Sequence, residues 1–491
     1  MTSREFIEQG EREKLLEQLL EVSVADETEV VWFERRHGLM DHGLDARRGE
    51  GGESDPTGSG PPDRGDRGEA EPRSAPGAAG PLERAGCDPG GYADISPGRT
   101  QLEAPRLTVL LRVVERGRMG WHRSEGRERC DLENGLRQAL VLAKVQQEAE
   151  QLPILCKETD PIQAAVELYD PAIAALDLDG ARERLAGWCG DRSRGRLHWS
   201  ETRVSVWNSH GTRRSARATE ASLTVAAREG AGFAAASSRL LDSLNPAEIV
   251  DRALRRASSG EMGTPPEPPA TLVLAPEAVV ELLNVINTFA FSGRSYMDGD
   301  SFLRKHRNVQ VFDSAFHLRD DGLRLPGLPF TFDLEGTPKA PVDLIVKGQP
   351  STPALTRSQG AYAGLAPTGQ SVGGLDAFFG NLFLLPGGLS DDDLWQAGEG
   401  GLFVGWLDPP ECFDPQRLEI RCRARGVRRI EKGALGSPLP DLIWESGLLG
   451  ALARLRGIGR DPVARAMPST PLGGISAPAL VLEQAGGFRP A

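Results

Sequence analysis

Phe330-Thr331-Phe332-Asp333-Leu334-Glu335-Gly336-Thr337-Pro338 is the stretch on which the reading of the fold turns. Asp333 and Glu335 alternate along what must be a strand or a tight turn ending at Gly336. Upstream, the apolar run Thr271-Leu-Val-Leu-Ala275 reads as a strand that meets Pro276. A helix is predicted next, because Val279, Leu282, Leu283, Ile286 and Phe289 recur at three- and four-residue spacing. Downstream, Val342-Asp-Leu-Ile-Val-Lys-Gly348 reads as a strand ending in a turn.

Towards the N-terminus, residues 4–22 carry Phe6, Ile7, Leu15, Leu16, Leu19 and Leu20 in an amphipathic helical pattern. Glu29-Val-Val-Trp-Phe33 is a strand, with Gly38 expected at the turn that follows. Residues 107–114 form a second strand, Glu115-Arg-Gly-Arg a hairpin turn, and residues 132–151 a helix. Helices are predicted at 171–176 and 179–189, and strands at 203–212 and 220–228. Asn245 and Pro246 supply the N-cap and first position of another helix. On the C-terminal side, the expectations are a strand at 401–407, a strand pair within 419–431, a helix at 446–455 and a closing strand at 476–482. Asp391-Asp-Asp393 suits a helix N-terminus through its dipole.

With 491 residues the chain is long enough for two or three domains. Residues 46–98 hold 13 Gly and 8 Pro in 53 positions, with Leu82, Tyr92 and Ile95 almost the only large apolar side chains. Such a segment cannot bury enough surface to offset roughly 1–2 kcal/mol of ordering entropy per residue, so a disordered insertion is expected. The domain division that follows is 1–152, 153–262 and 270–491, with the Gly/Pro-rich 258–269 as a connector.

A net charge of −13 argues against a general nucleic-acid binder. Six cysteines without a C-x-x-C pair, and no apolar run near the roughly 18 residues of a membrane span, point to a reduced cytoplasmic protein with no membrane association.

In order and content, these signals resemble the TldD/PmbA, or modulator-of-gyrase, family. The likeness is densest over residues 270–482, where Ile430-Glu431-Lys432-Gly433 fits the family's I-E-x-G turn. It implies an α+β fold: an N-terminal α/β region of strands and helices, then a β-rich C-terminal domain of the TldD/PmbA type. TldD-type members resemble zinc proteases whose helix carries H-E-x-x-x-H, with a further cysteine ligand near the C-terminus. PmbA/TldE-type members lack that set, and the two kinds pair to cleave unfolded peptides.

The helix at residues 276–288 contains no histidine. Its Glu277 and Glu281 lie one turn apart, the spacing of a solvated face. His306 and His317, eleven residues apart, have no metal-binding logic. His37 and His42 have the right offset, but Gly38 stands where Glu is required. Cys412 and Cys422 precede the C-terminal region where a ligand is due and read as inert thiols. Ser209-His210 is an adjacent pair in a hairpin, weak ground for nucleophilic catalysis.

The resemblance gives Asp333 and Glu335 a structural role near the cleft. No catalytic, cofactor-binding or metal-ligating residue is therefore assigned. The chain is read as a metal-free PmbA/TldE-like subunit that meets a zinc-bearing TldD-type partner and an extended peptide, with zinc in the partner only. The alternatives are a self-sufficient metallopeptidase-like hydrolase with an unrecognised site, or a non-catalytic peptide-binding scaffold.

Overall fold

The structure, a computed structural model, describes residues 5–42, 100–148, 154–157, 167–228, 231–258, 260–265, 270–373, 376–467, 470 and 472–491. The insertion expected at 46–98 lies outside the described residues. Helix α1 (Gln9–Val22) leads into the long strand β1 (Glu27–His42). Strands β2 (Thr100–Leu102), β3 (Arg106–Glu115) and β4 (Arg118–Ser124) follow, then helices α2 (Arg129–Val145), α3 (Pro171–Ala174) and α4 (Leu178–Cys189). Strands β5 (Ser193–Asn208), β6 (Arg213–Ala227) and β7 (Phe233–Ser238), then helix α5 (Pro246–Arg256), complete this half. Its strands form one antiparallel sheet in the order β4-β3-β1-β5-β6-β7, with β2 also paired to β1. One sheet thus draws strands from both sides of residue 152.

Alternation gives that sheet two different faces. On one, Val30, Trp32, Val109 and Leu111 pack under Leu16 and Leu19 of α1, and Met40, Leu197 and Trp199 pack under α4 and α5. On the other, Val31, Phe33, Leu110, Val204 and Val206 receive Phe330, Phe332 and Leu334. The stretch that opened the sequence reading is thus the apolar wedge joining the two halves. Each of its fully buried side chains stabilises the contact by about 1.5–3 kcal/mol.

Gly38 is not at a turn, as the sequence suggested. It sits inside β1 opposite Trp199, and a Cβ there would lie 2.2 Å from the indole ring. The glycine makes room for a tryptophan whose Nε1 donates to Leu176 O at 3.0 Å. Asn245 precedes α5 in the left-handed region, and its amide donates to Glu248 Oε2 at 2.7 Å instead of capping the helix.

The C-terminal half begins with β8 (Leu272–Leu274), α6 (Pro276–Val285), α7 (Gly293–Asp298) and α8 (Leu303–His306). It continues with β9 (Leu318–Asp320), β10 (Val342–Val346), β11 (Gln349–Pro350), α9 (Arg357–Ala363), β12 (Asn381–Leu384), α10 (Asp391–Ala397) and β13 (Leu402–Leu407). Next come β14 (Glu411–Asp414), β15 (Glu419–Glu431), β16 (Ala434–Pro438), β17 (Leu442–Gly447), α11 (Leu448–Leu452) and β18 (Leu455–Ile458). The last strands are β19 (Val463–Ala466), β20 (Gly474–Ala477), β21 (Leu480–Leu482) and β22 (Gly487–Pro490).

Among the described residues these strands form a six-stranded sheet, β11-β10-β9-β12-β20-β19, and a nine-stranded one built on β18-β21-β8-β13-β15-β17-β22. The expected strand pair at 419–431 is one continuous strand with left-handed Gly426 within it, and β16 is the partner after the turn. The expected closing strand at 476–482 divides at residues 478–479, its two pieces entering different sheets. The helix expected at 446–455 is confined to α11 because β17 and β18 take its flanks.

Helix α6 lies between the two C-terminal sheets, packed on β13 and β20. Strand β19 abuts β7 of the first sheet, and Ala466 N donates to Ser237 Oγ at 3.0 Å. The helix that carries metal ligands in TldD-type proteins is therefore the axis of this half.

Candidate functional site on helix α6

Pro276 at the first helical position and the extended Ala275 before it start α6 sharply at the end of β8. The helix runs into a π turn at Ile286–Ala290, where Phe291 N donates to Ile286 O at 3.2 Å. Such turns are frequent at functional sites. Asn287 fixes it, exchanging hydrogen bonds with the backbone of Phe379 at 2.9 and 3.1 Å.

Glu277 and Glu281 do not form the solvated face expected of them; both are buried. Glu277 accepts from Arg256 at 2.8 Å and from Ala235 N at 3.1 Å, with Arg252 at 3.4 Å. Burial pushes its carboxyl up, but Arg256 and Arg252 outweigh burial and hold it below the usual range. Glu281 pairs with Arg465 at 3.2 Å, and the guanidinium lies 4.0 Å over the Trp406 ring. Burial wins there, and the Glu281 carboxyl is raised despite Arg465. The sequence gave no sign of this, because the neutralising arginines come from α5 and from β19, the latter 184 residues away.

The sides of α6 and its π turn that reach solvent carry Asn284, Thr288 and Phe289. Thr288 Oγ1 donates to Asn284 O at 2.9 Å. An amide, a hydroxyl and a phenyl ring are not the imidazole and thiolate donors that zinc takes, so this helix does not fit the metal. Among the described residues no three His, Cys, Asp or Glu side chains converge on a point where an ion could sit.

His37 and His42 fall in strand β1, where an offset of five puts them on opposite faces. His37 is buried 3.4 Å from Glu103, and burial pushes its pKa down. His306 packs beside Phe302, and His317 Nδ1 accepts from Lys347 N at 3.4 Å. Ser209 Oγ accepts from Thr28 N, while His210 faces Glu27 at 3.4 Å, so the two do not act together. The Cys412 thiol is half-buried and pushed up to about 12 by burial; Cys422 is buried and pushed up as well.

The wedge beside α6 ends in a tight turn built on Asp333. Its carboxylate accepts from the backbone N–H groups of Glu335, Thr337 and Ser371 at 2.9–3.0 Å, and Gly336 takes a φ of +75°. Glu335 accepts from Arg357 N at 3.0 Å and faces Arg112 at 3.6 Å; Arg112 bonds Glu29 at 2.6 Å. Three buried carboxylates therefore share one guanidinium across the junction between the halves. Burial, then the Glu335 carboxylate, raises Asp333 to about 7; burial raises Glu29 to about 7 against the pull of Arg112.

Just beyond, buried Lys339 donates to Gln370 Oε1 at 3.1 Å, and Gln370 donates to Asp320 at 2.7 Å. These groups are saturated by one another, which is the pattern of a structural network.

A protein with a helix of this placement, between a mixed sheet and a long antiparallel one, has the fold of the metallopeptidase-like gyrase modulators. Residues 268–486 match the PmbA/TldA metallopeptidase C-terminal domain and residues 158–260 match its central domain. The chain belongs to the TldD/PmbA family, with the α+β fold expected of it.

The structure is similar to that of TldE from Thermococcus kodakarensis, with a TM-score of 0.74 at 16% identity over 97% of this chain and 99% of that one. A protein from Bacteroides thetaiotaomicron assigned as a modulator of DNA gyrase has a TM-score of 0.72 at 16% identity, covering 99% and 100%. A similarly assigned protein from Thermotoga maritima has a TM-score of 0.70 at 16% identity, covering 96% and 99%. No curated protein matches the chain in sequence. No helix among the described residues is long and apolar enough to cross a membrane.

Proposed function

We propose that this chain is a metal-free, PmbA/TldE-like subunit of a cytoplasmic two-subunit metallopeptidase that processes or degrades unfolded peptides. The observation that carries the reading is the donor set of α6. Its two carboxylates are taken by Arg252, Arg256 and Arg465, and its solvent-reaching side offers Asn284, Thr288 and Phe289.

In this reading a TldD-type partner supplies the zinc and its ligands, while this chain supplies a rigid wall for an extended substrate. Co-expression with a family member that carries H-E-x-x-x-H, followed by purification and a peptide-cleavage assay, tests it. Association with a gain in cleavage is expected. Absence of association together with no gain in cleavage would refute the reading, and stoichiometric zinc in the isolated chain would favour a self-sufficient hydrolase instead.

A further inference from the structure

A cleft of about 520 Å³ opens between α5, α10 and the outer face of the nine-stranded sheet, a size ordinary for small-ligand sites. It lies on the side of that sheet away from α6. Its floor is apolar, made of Val273, Ala275, Phe403 and Ala479, with Trp395 standing edge-on to Phe403 at 5.5 Å between ring centres. The two walls carry opposite charge: Arg252, Arg255 and Arg256 on α5, and Asp391 and Asp392 on the first turn of α10.

Most of the other charged groups around the cleft are committed elsewhere. Arg428 donates to the carbonyls of Leu435, Gly436, Arg256 and Ala257; Arg460 pairs with Asp461; Glu248 faces Arg252 at 3.6 Å. On the basic wall, Arg252 and Arg256 share the single carboxylate of Glu277, and the buried Arg252 Nε has no hydrogen-bond acceptor. Arg255 bonds only the exposed Asp251 one turn back.

On the acidic wall the helix cap is closed by Ser390 and Asp393, which leaves Asp391 and Asp392 outside it. Among the described residues neither forms an ion pair or a side-chain hydrogen bond, and Asp391 acts across the cleft on Arg256.

From these opposed walls over an apolar floor, we infer that the cleft binds a short apolar peptide by both free ends, its carboxylate against α5 and its ammonium against α10. A guanidinium fork matches a carboxylate in two-point contact, and the aromatic floor takes the side chains. This goes beyond the subunit reading, because binding by the isolated chain requires neither zinc nor a partner.

Calorimetry of the full chain with the tripeptide Leu-Gly-Leu, its N-acetylated form and its C-amidated form tests the inference. The free peptide is expected to bind, and each blocked form to bind at least tenfold more weakly. The surface variant Asp391→Asn with Asp392→Asn should no longer distinguish free from acetylated peptide. Arg255→Gln should reduce the distinction between free and amidated peptide at least threefold. No binding of the free peptide, equal binding of all three, or full discrimination retained by both variants overturns the assignment. None of these outcomes bears on whether the chain joins a zinc-bearing partner.

Discussion

Replacing Arg465 by methionine strands the Glu281 carboxylate inside the protein. The two side chains are 2% and 3% exposed and 3.2 Å apart, so water cannot replace the lost partner. Removing one member of such a buried pair costs about 3–5 kcal/mol, whereas replacing both by groups of similar volume is often close to neutral. The guanidinium also lies over Trp406 at 4.0 Å, a contact worth ~1–2 kcal/mol when desolvated, and a methionine side chain keeps its packing but not its charge.

The cost should depend on pH. Burial already raises Glu281, and without Arg465 it rises further, so in acid the folded protein keeps this group protonated and avoids most of the penalty. As pH rises past the ordinary glutamate value the unfolded chain ionises and the folded one resists, so stability falls. Guanidinium unfolding followed by circular dichroism at pH 5 and pH 8 should rank the wild type above Arg465→Met with Glu281→Gln, and that pair above Arg465→Met alone. The single variant's deficit should be larger at pH 8. A double variant as unstable as the single one at both pH values would refute the reasoning, as would a single variant equal to wild type.

The other expectations come from the junction and the first sheet. Glu29 raised from 4.5 to about 7 takes up a proton on folding, so its contribution lowers stability as pH rises across that window, by roughly 3 kcal/mol at about 1.4 kcal/mol per unit. Glu29→Gln should flatten a plot of unfolding free energy against pH between 4.5 and 7. Glu277 is held down, so its contribution is present above 4.5 and lost as pH falls; Glu277→Gln should be most destabilising near neutrality, measured the same way. Gly38→Ala places a Cβ 2.2 Å from a Trp199 ring that Leu176 holds in place, and should cost about 1–3 kcal/mol in denaturant unfolding. Phe332→Ala empties the centre of the wedge and should cost about 3–5 kcal/mol, with limited proteolysis cutting faster at the junction.

What could be read from the sequence, and what could not, divides by the range of the interaction. Turns were legible because two adjacent residues set them: Arg116-Gly117, Lys347-Gly348 and Lys432-Gly433 all take the paired left-handed conformation that a tight hairpin demands. Helix α6 was legible because its apolar spacing is local. Gly38 was misread because the residue that requires a glycine there, Trp199, lies on the neighbouring strand. The strand ending at Ala477 and the one beginning at Leu480 looked like one element because nothing local marks a change of sheet.

The carboxylates of α6 make the same point about the candidate site. A glutamate pair one turn apart reads as solvated until the fold brings Arg252, Arg256 and Arg465 to it. Charge on this helix was visible in the sequence, but its neutralisation is a tertiary fact. That neutralisation separates two kinds of family helix: one whose polar side chains are left open to hold an ion, and this one, whose carboxylates tie α5 and β19 to the central axis of the C-terminal half.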